Sequence, residues 1–575
     1  MPTLDWIGKK KVVNHHLDVP FRVLEKKYTY SADGKKTDSE NMIIHGDNLE
    51  ALKSLLPEYG GAVDCIYIDP PYNTGKKIWI YNDNVDDRRI QKWFKTVVGK
   101  EGEDLTRDDK WLCMMYPRLV LLQKLLSNRG AIFISIDDYE QANLRAICDE
   151  IFGKQNFVAQ FIWYIDGHTD NQDEITNVHE YIICYAKDKT LLKMNNVVNP
   201  HVSDGSKIMN DYAENSITKN GPKNPASEIE LPVGFPCEVK SLFKEKHKNV
   251  LKLIDETKKL GFIDRSFKNQ FDIDYPARLD DMKVADYKLQ QSCRVFSGWM
   301  NNGKLKRFID NGFLPIIDDD GSKVRFFLSK NGVLYYRREE RETQYIQTVL
   351  EKMGTTETNK YILEDMGIKF DYPKPYTLIE FLLSTVVKEN SIILDSFAGS
   401  GTTGHAFFNL VKQGKKLKKV ILIEMEDYAD SVTANRIKHI ISGYEGKKNK
   451  IEGTGGSFSF YELGERLLTE EGCLNESVPL DAIRAYIWHT ETNASFANEA
   501  DDNPYYLGTH NGAGYWFYYK KGEETTLDMD FVLTIQNPHD YEQFVIYADK
   551  CVLSEEYLKA HHVAFKQLPR DIQRF

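Results

Sequence analysis

The stretch that decides the fold is Asp64-Cys65-Ile66-Tyr67-Ile68-Asp69-Pro70-Pro71-Tyr72. Its first part is an apolar run with β-branched residues, which predicts a buried strand from 63 to 68. The two prolines then end the strand, because proline cannot continue a central strand. Asp69 and Tyr72 are therefore expected at the carboxyl end of the strand, where open α/β sheets bind their ligands. An acid, two rigid prolines and an aromatic ring suit a flat, amino-bearing ring, although an ordinary turn is the alternative.

Length and composition set the class of protein. The chain has 575 residues, which is too long for one ordinary core and predicts two to four domains. Its eight cysteines are scattered singly, without metal-ligand spacing, so we expect a reduced, cytoplasmic compartment and no metal site. No apolar run approaches the roughly 18 residues needed to span a membrane. The net charge of −11 does not exclude nucleic acid, because phosphate contacts need only a local basic surface.

Strands and helices alternate on both sides of a long irregular segment. Apolar runs at 42–44, 63–68, 131–136, 392–394 and 420–423, each followed by a helical pattern, predict a doubly wound parallel sheet. Residues 190–370 are polar but too rich in aromatic side chains for disorder, which indicates an inserted domain. The expected division is a leader packed on the core (1–40), the first half of the core (41–189), the inserted domain (190–370), the second half of the core (371–452) and a small α+β C-terminal domain (453–575).

A second loop provides a partner for the first. Asp395-Ser396-Phe397-Ala398-Gly399-Ser400-Gly401-Thr402-Thr403-Gly404 follows a strand and opens a helix, and Glu424 ends the next strand. This arrangement is typical of a nucleotide site, so a site for NAD or FAD is one interpretation. Asp395, however, would repel a pyrophosphate and can pair with a cationic amine. A ligand with an adenosine, a ribose diol and an amino-acid tail fits both loops, which favours S-adenosylmethionine as the cofactor.

Together the two loops resemble the paired motifs of amino-group DNA methyltransferases, which have a Rossmann-like core. The motif at 69–72 precedes the motif at 395–401, with a large insertion between them, as in the circularly permuted β class. Longer stretches, among them Leu4–Lys9, Trp111–Arg118 and His179–Ile182, are similar to the modification (Mod) subunit of type III restriction-modification systems.

The resemblance implies a role for each matching residue. The catalytic residues are Asp69, Pro70, Pro71 and Tyr72. The cofactor-binding residues are Asp47 by the adenine, Lys374 near the methionine end, Glu424 on the ribose hydroxyls, and Asp395, Phe397, Gly399, Gly401 and Thr402 in the loop.

The chemistry of these residues can be argued physically. The exocyclic amine of a base is a poor nucleophile because its lone pair is delocalised into the ring. Asp69 and the carbonyl of Pro70 can accept hydrogen bonds from its two N–H groups. This frees the lone pair for in-line transfer of the methyl group. A base inside a duplex cannot reach such a site, so it must be flipped out, with Tyr72 stacking on its face.

Adenine N6 is the expected target, because by resemblance Asp rather than Ser at position 69 favours it; cytosine N4 is the closest alternative. A DNA-reading subunit with vestigial methylation and a methyltransferase for RNA or protein are the others. By resemblance the partners are double-stranded DNA and a second copy of the chain. Translocation and cleavage are expected on a separate Res-type subunit, since the sequence carries no P-loop motif. The insertion is then the target-recognition domain, with candidate DNA contacts at Arg278, Arg294, Trp299, Lys304 and Arg307.

Overall fold

The computed structural model describes residues 3–74, 107–165, 177–195, 197, 212–319, 321–339, 346–447, 449–469, 473–496 and 503–568. The chain folds into two compact units. The first joins Met1–Asn195 to Ile346–Phe575, and the second is Asn196–Tyr345.

A ten-stranded sheet forms the centre of the first unit. Its strands in chain order are β1 (Arg22–Ser31), β2 (Met42–His45), β3 (Val63–Ile68), β4 (Leu126–Ile136), β5 (Phe157–Tyr164), β6 (His179–Ala186), β7 (Val349–Leu350), β8 (Ile392–Asp395), β9 (Lys419–Glu424) and β10 (Ser457–Arg466). They lie in the order β1-β10-β2-β9-β8-β3-β4-β6-β5-β7. The six strands from β10 to β4 are parallel, whereas β6 is antiparallel to β4 and β1 is antiparallel to β10. The predicted α/β class with a doubly wound, Rossmann-like sheet is confirmed.

Helices cover the sheet. They are α1 (Asn48–Tyr59), α2 (Arg107–Leu125), α3 (Gln141–Cys148), α4 (Tyr376–Val386), α5 (Thr402–Lys412) and α6 (Asn435–Ser442). Helices α1 and α2 pack on the face that carries the fully buried Ile66 and Leu394. Helix α5 packs on the other face, where the side chain of Leu422 approaches Gly404 so closely that a Cβ on Gly404 would lie 2.8 Å from Leu422 Cδ1. Burial on both faces explains why the central strands β2, β3, β8 and β9 are mainly apolar.

The margins of the core differ from the predicted division. Strand β1 lies within the predicted leader, and β10 lies within the predicted C-terminal domain, yet both belong to the central sheet. Residues 346–370 were expected in the insertion but pack with the first unit, because Val349 pairs with Ile162 of β5.

The C-terminal part adds a small α+β layer. A helix at Leu480–Thr492 precedes a four-stranded sheet formed by Tyr506–His510, Ala513–Phe517, Gln543–Ala548 and Val563–Gln567. The helix packs on α1, and the amide of Phe496 donates a 2.8 Å hydrogen bond to the carbonyl of Pro57. This layer is therefore attached to the core rather than tethered by a linker.

The described residues of the second unit form three small antiparallel sheets and an apolar core of their own. Its longer strands are Ala226–Leu231, Cys293–Gly298, Lys323–Leu328 and Leu334–Arg338, and its longer helices are Val250–Leu260 and Asn302–Asp310. Phe235, Phe308 and Phe326 are almost fully buried within it. A core of this kind explains why a segment with so many polar residues folds.

No helix in the described part of the chain combines the length and the apolar character that crossing a membrane requires. All eight cysteines lie in described segments and are free thiols.

Candidate active site

The two loops singled out in the sequence leave the sheet side by side. Strands β3 and β8 are parallel neighbours, with Cys65 opposite Ile393 and Ile66 opposite Leu394. Because parallel strands end at the same edge of a sheet, Asp69 and Asp395 are delivered to one place from distant parts of the sequence.

The clamp at 69–72 is held rigidly from both sides. The indole of the fully buried Trp111 donates a 2.6 Å hydrogen bond to the carbonyl of Pro71. Immediately after Tyr72, Asn73 takes a left-handed backbone with φ of 63°, and its amide donates to the Glu140 carboxylate at 2.5 Å. Burial raises the pKa of Glu140 to about 7. The position of Tyr72 is thus fixed by partners on α2 and at the start of α3.

A cation lies between two carboxylates at the centre of the clamp. The ammonium of Lys374 is 3.1 Å from Asp69 Oδ2 and 3.2 Å from Glu180 Oε2. The Tyr72 hydroxyl donates a 2.9 Å hydrogen bond to the same oxygen of Glu180, and Lys374 Nζ lies 4.8 Å from the centroid of the Tyr72 ring. Burial lowers the pKa of Lys374, but Asp69 and Glu180 more than offset this effect and hold it above its usual value. Lys374 is therefore charged at neutral pH.

The second oxygen of Asp69 has no hydrogen-bond partner in the part of the chain that the structure describes. Asp69 Oδ1 is buried and accepts no hydrogen bond from the described residues. An unsatisfied buried acceptor costs about 1–3 kcal/mol and is uncommon in native structures. Such an atom indicates a place where a ligand donor completes the site.

Glycines shape the second loop. Gly399 and Gly401 have φ of 51° and 80°, in the left-handed region that favours glycine. The amide of Gly399 donates a 2.7 Å hydrogen bond to Glu424 Oε2, and the Thr433 hydroxyl donates to the carbonyl of Gly399 at 2.5 Å. Burial raises the pKa of Glu424 to about 8.

Asp395 braces the base of this loop. One of its oxygens accepts a 2.9 Å hydrogen bond from the amide of Phe397, and the other accepts a 2.5 Å bond from the Thr403 hydroxyl. Burial raises the pKa of Asp395 to about 7. The ring of Phe397 is buried in the core of the sheet. Asp395 and Phe397 therefore both hold the loop in its observed conformation.

The start of α5 is held by a buried arginine. Arg436 donates 2.8 Å hydrogen bonds to the hydroxyls of Ser400 and Thr402. The Thr402 hydroxyl in turn donates to the carbonyl of Lys374 at 3.4 Å. Burial lowers the pKa of Arg436 to about 9. The loop is thereby linked to the residue that pairs with Asp69.

Asp47 lies in the turn after β2, at the same edge of the sheet as the two loops. Its side chain caps α1 by accepting from the amides of Leu49 and Glu50 at 2.9 and 3.2 Å. The amide of Gly46 donates to the carbonyl of Glu424 at 3.0 Å, which places this turn beside the end of β9. The Asn48 side chain donates to the carbonyl of Ser396 at 3.2 Å. The loops after β2, β8 and β9 are thus joined by hydrogen bonds.

All the residues predicted for the site lie at this edge of the sheet, but the sequence did not single out every participant. In the sequence, Glu180 lies within His179–Ile182, a stretch similar to the Mod subunit, and the resemblance implies no role for it. Arg436 and Glu140 are buried charged side chains on or beside helices, where no local pattern distinguishes them from surface residues. Their contribution depends on contacts between distant segments.

In the second unit, four of the five candidate DNA contacts have intramolecular partners. Arg278 donates to the carbonyl of Glu245, Arg294 is paired with Asp280, Lys304 is paired with Asp318, and the Trp299 indole donates to the carbonyl of Ser227. Arg307 is exposed.

Comparison with known proteins shows which family the chain belongs to. Residues 63–435, which contain both loops, match the DNA methylase family N6_N4_Mtase. The chain belongs to this DNA methylase family. The chain is 28% identical over 449 residues to the type III restriction-modification enzyme EcoP15I Mod subunit of Escherichia coli, and 30% identical over 455 residues to the EcoPI Mod subunit of Escherichia phage P1. Each alignment covers 74% of this chain and 64% of the relative, so the chain spans about 64% of the length of these relatives.

A type II relative and a solved structure complete the comparison. The type II methyltransferase M.KpnI of Klebsiella pneumoniae is 26% identical to the chain over 408 residues, covering 69% of this chain and 84% of M.KpnI. The crystal structure of a putative DNA modification methylase from Thermus thermophilus, complexed with S-adenosyl-L-methionine, aligns with 74% of the chain and 98% of its own at 11% identity and a TM-score of 0.30. At that score, the fold assignment rests on the strand order alone.

Proposed function

We propose that this DNA methylase transfers a methyl group from S-adenosylmethionine to the N6 amine of an adenine flipped out of double-stranded DNA, at a specific site. The observation that carries the proposal is the Asp69 carboxylate. Its Oδ2 is held by Lys374, and its buried Oδ1 has no hydrogen-bond partner among the described residues. An amine N–H is the donor that such an oxygen lacks.

The residues around the glycine loop fit the cofactor. Each oxygen of Glu424 accepts one backbone N–H and retains a lone pair for a ribose hydroxyl. The left-handed glycines allow the backbone to approach a ligand closely, and the buried Ser396 hydroxyl has no hydrogen-bond partner in the described residues. We assign the adenine side to Asp47 and the methionine side to Lys374 and Asp395. When bound, S-adenosylmethionine supplies a methyl group activated by a positively charged sulfur.

The chain's own residues then orient the nucleophile. Asp69 and the carbonyl of Pro70 accept hydrogen bonds from the two N–H groups of the amine, which frees the nitrogen lone pair. The lone pair forms the new N–C bond while the C–S bond breaks and its electron pair stays on sulfur. The nitrogen becomes positive and releases its proton to water afterwards, so Asp69 acts by orientation and charge and not as a base. Tyr72 stacks on the extruded base.

The proposed partners rest on the relatives. Two of them are named as Mod subunits of type III restriction-modification enzymes, and we propose that this chain is a subunit of that kind. It would act in the cytoplasm as a homodimer, with a separate Res-type subunit for cleavage. Reading of the DNA site is assigned to the unit Asn196–Tyr345, which folds around its own core.

The test is Asp69→Asn. This change removes the negative charge but keeps a side chain of the same shape, so it should lower the single-turnover transfer rate by about 10²-fold or more, with the cofactor dissociation constant changed by less than about threefold. A matched control is Asp64→Asn on the same strand, because the Asp64 carboxylate bonds to Ser127 and the Ile392 amide, away from the clamp. A transfer rate for Asp69→Asn within about threefold of the control would contradict the proposal.

A further inference from the structure

Glu180 on β6 makes two contacts with residues of the clamp. Its Oε2 accepts a 2.9 Å hydrogen bond from the Tyr72 hydroxyl and lies 3.2 Å from the ammonium of Lys374. The strand that carries it is antiparallel to β4, with Ser135 opposite Ile182. One carboxylate therefore contacts both the aromatic residue and the cation of the proposed site.

Three charges meet at the clamp. Asp69 and Glu180 both contact the ammonium of Lys374, at 3.1 and 3.2 Å from its nitrogen. The side chain of Lys374 is 10% exposed, so water screens these interactions only weakly. Together the three side chains carry one net negative charge. Without Glu180, Lys374 would pair with Asp69 alone and the net charge beside the target amine would be zero.

This balance matters for the reaction proposed above, on which the inference rests. The target nitrogen becomes positive as the new bond forms, and a negative Asp69 stabilises that charge. A lysine that is paired with both Glu180 and Asp69 neutralises less of the negative charge of Asp69 than a lysine that is paired with Asp69 alone. The phenol of Tyr72, bound to the same carboxylate, has its ring 4.8 Å from Lys374 Nζ, so the stacking surface is fixed by the same group.

We infer that Glu180 is a positioning residue of the methyltransferase site, which holds Lys374 and Tyr72 and thereby preserves the negative charge of Asp69 toward the target amine. It acts through these two residues and not on the base itself.

The experiment is a double-mutant cycle of Glu180→Gln and Lys374→Met in the full chain, followed by single-turnover transfer to duplex DNA. Glu180→Gln keeps an oxygen that can accept from Tyr72 but leaves the lysine charge on Asp69, so the rate should fall by about 10- to 100-fold. The cofactor dissociation constant should stay within about twofold. Because Lys374 is also assigned to the methionine side of the cofactor, transfer is measured at saturating S-adenosylmethionine for every variant, with the cofactor dissociation constant of each determined first. Adding Lys374→Met then removes the excess cation, and the saturated double variant should regain at least about tenfold over Glu180→Gln.

Asp149→Asn is the matched control. Asp149 also accepts from a tyrosine hydroxyl, at 2.6 Å from Tyr185, and pairs with a cation, Arg145, at 3.3 Å, but it lies away from the clamp. Its transfer rate should stay within about twofold of wild type.

The outcomes distinguish failure of the proposed function from failure of the inference. A wild-type chain that transfers no methyl to any duplex overturns the proposed function and this inference with it. An active wild type with an equally active Glu180→Gln overturns the inference alone. A slow Glu180→Gln that Lys374→Met does not rescue also overturns it, because a purely structural glutamate would behave in that way.

Discussion

Glu424 Oε2 accepts a 2.7 Å hydrogen bond from the amide of Gly399, so the acid that ends β9 holds the turn that follows β8. The two strands are parallel neighbours. A ligand at this edge therefore meets a loop whose shape is already set by the residue proposed to bind it. Organisation of this kind lowers the ordering cost of binding.

Removing this carboxylate should weaken cofactor binding. In Glu424→Ala the Gly399 amide loses its partner and the ribose hydroxyls lose their acceptor, so we expect the dissociation constant of S-adenosylmethionine to rise by about 10- to 100-fold. Isothermal titration of the purified chain measures it. Glu445→Ala, at an exposed position of the hairpin after α6, is the control and should bind as wild type does. Equal affinities for the two variants would remove Glu424 from the site.

Gly401→Ala should damage the cofactor loop. At φ of 80° an alanine is strained by about 1–2 kcal/mol, and its Cβ would lie 3.2 Å from the carbonyl oxygen of Thr433. Gly367→Ala provides the comparison, because it has a similar φ of 73° but an added Cβ meets nothing within 4 Å. Both variants should melt at lower temperature, whereas only Gly401→Ala should bind the cofactor more weakly. Loss of binding in both would show that general destabilisation, and not the loop, is responsible.

Stability should fall with rising pH because of three buried carboxyls. Burial raises the pKa of Asp395 and of Glu140 to about 7 and that of Glu424 to about 8, from ordinary values of 3.8, 4.5 and 4.5. Between the ordinary pKa of each carboxyl and its raised pKa in the folded chain, the folded chain holds a proton that the unfolded chain has released. The free energy of unfolding therefore decreases as pH rises. The contribution is complete below about pH 4 and is lost by about pH 8.

Histidine titration confines the useful window for this test. Burial lowers the pKa of His16 to about 4, which acts in the opposite direction below about pH 6.5. The melting temperature should therefore be compared between wild type and Glu424→Gln from pH 6.5 to 9. Wild type should lose stability relative to the variant up to about pH 8 and run parallel to it above. Parallel curves over the whole range would contradict the assigned protonation of Glu424.

Trp111→Phe tests the rigidity of the clamp. The substitution keeps a buried ring but leaves the carbonyl of Pro71 without its 2.6 Å donor, which should cost about 1–3 kcal/mol and slow transfer by about tenfold. Trp488→Phe in the C-terminal layer removes a similar bond, from the indole to the carbonyl of Ser495 at 3.0 Å. We expect a comparable loss of stability there with the transfer rate of wild type. Equal transfer rates in the two variants would mean that the clamp does not need this bond.

The sequence predicts the central strands well because their signal is local. The apolar run predicted at 63–68 is the observed β3, and the run predicted at 392–394 lies within the observed β8. By contrast, β1 and β10 pair with each other from opposite ends of the chain, with Thr29 opposite Ser459. Many of their residues are half-exposed, and nothing local indicates which strand each will pair with. The predicted leader and the predicted C-terminal domain therefore each contain a strand of the central sheet.

The same distinction applies to the site. Asp69 and Asp395 can be brought together from sequence, because each ends a buried strand and parallel strands end at one edge. Glu180 cannot, since its place depends on β6 entering the sheet antiparallel to β4. Arg436 is likewise a helical arginine that only the fold turns inward, toward Ser400 and Thr402.

The most direct test of the central claim is the chemical identity of the product. The purified wild-type chain is incubated with a library of duplex DNA and methyl-labelled S-adenosylmethionine, and the DNA is digested to nucleosides and separated. Label in the N6-methyladenine nucleoside, with initial incorporation lowered by about 10²-fold or more in Asp69→Asn, is the result that the proposed function predicts. Label in the N4-methylcytosine nucleoside, or no label in DNA, would contradict it.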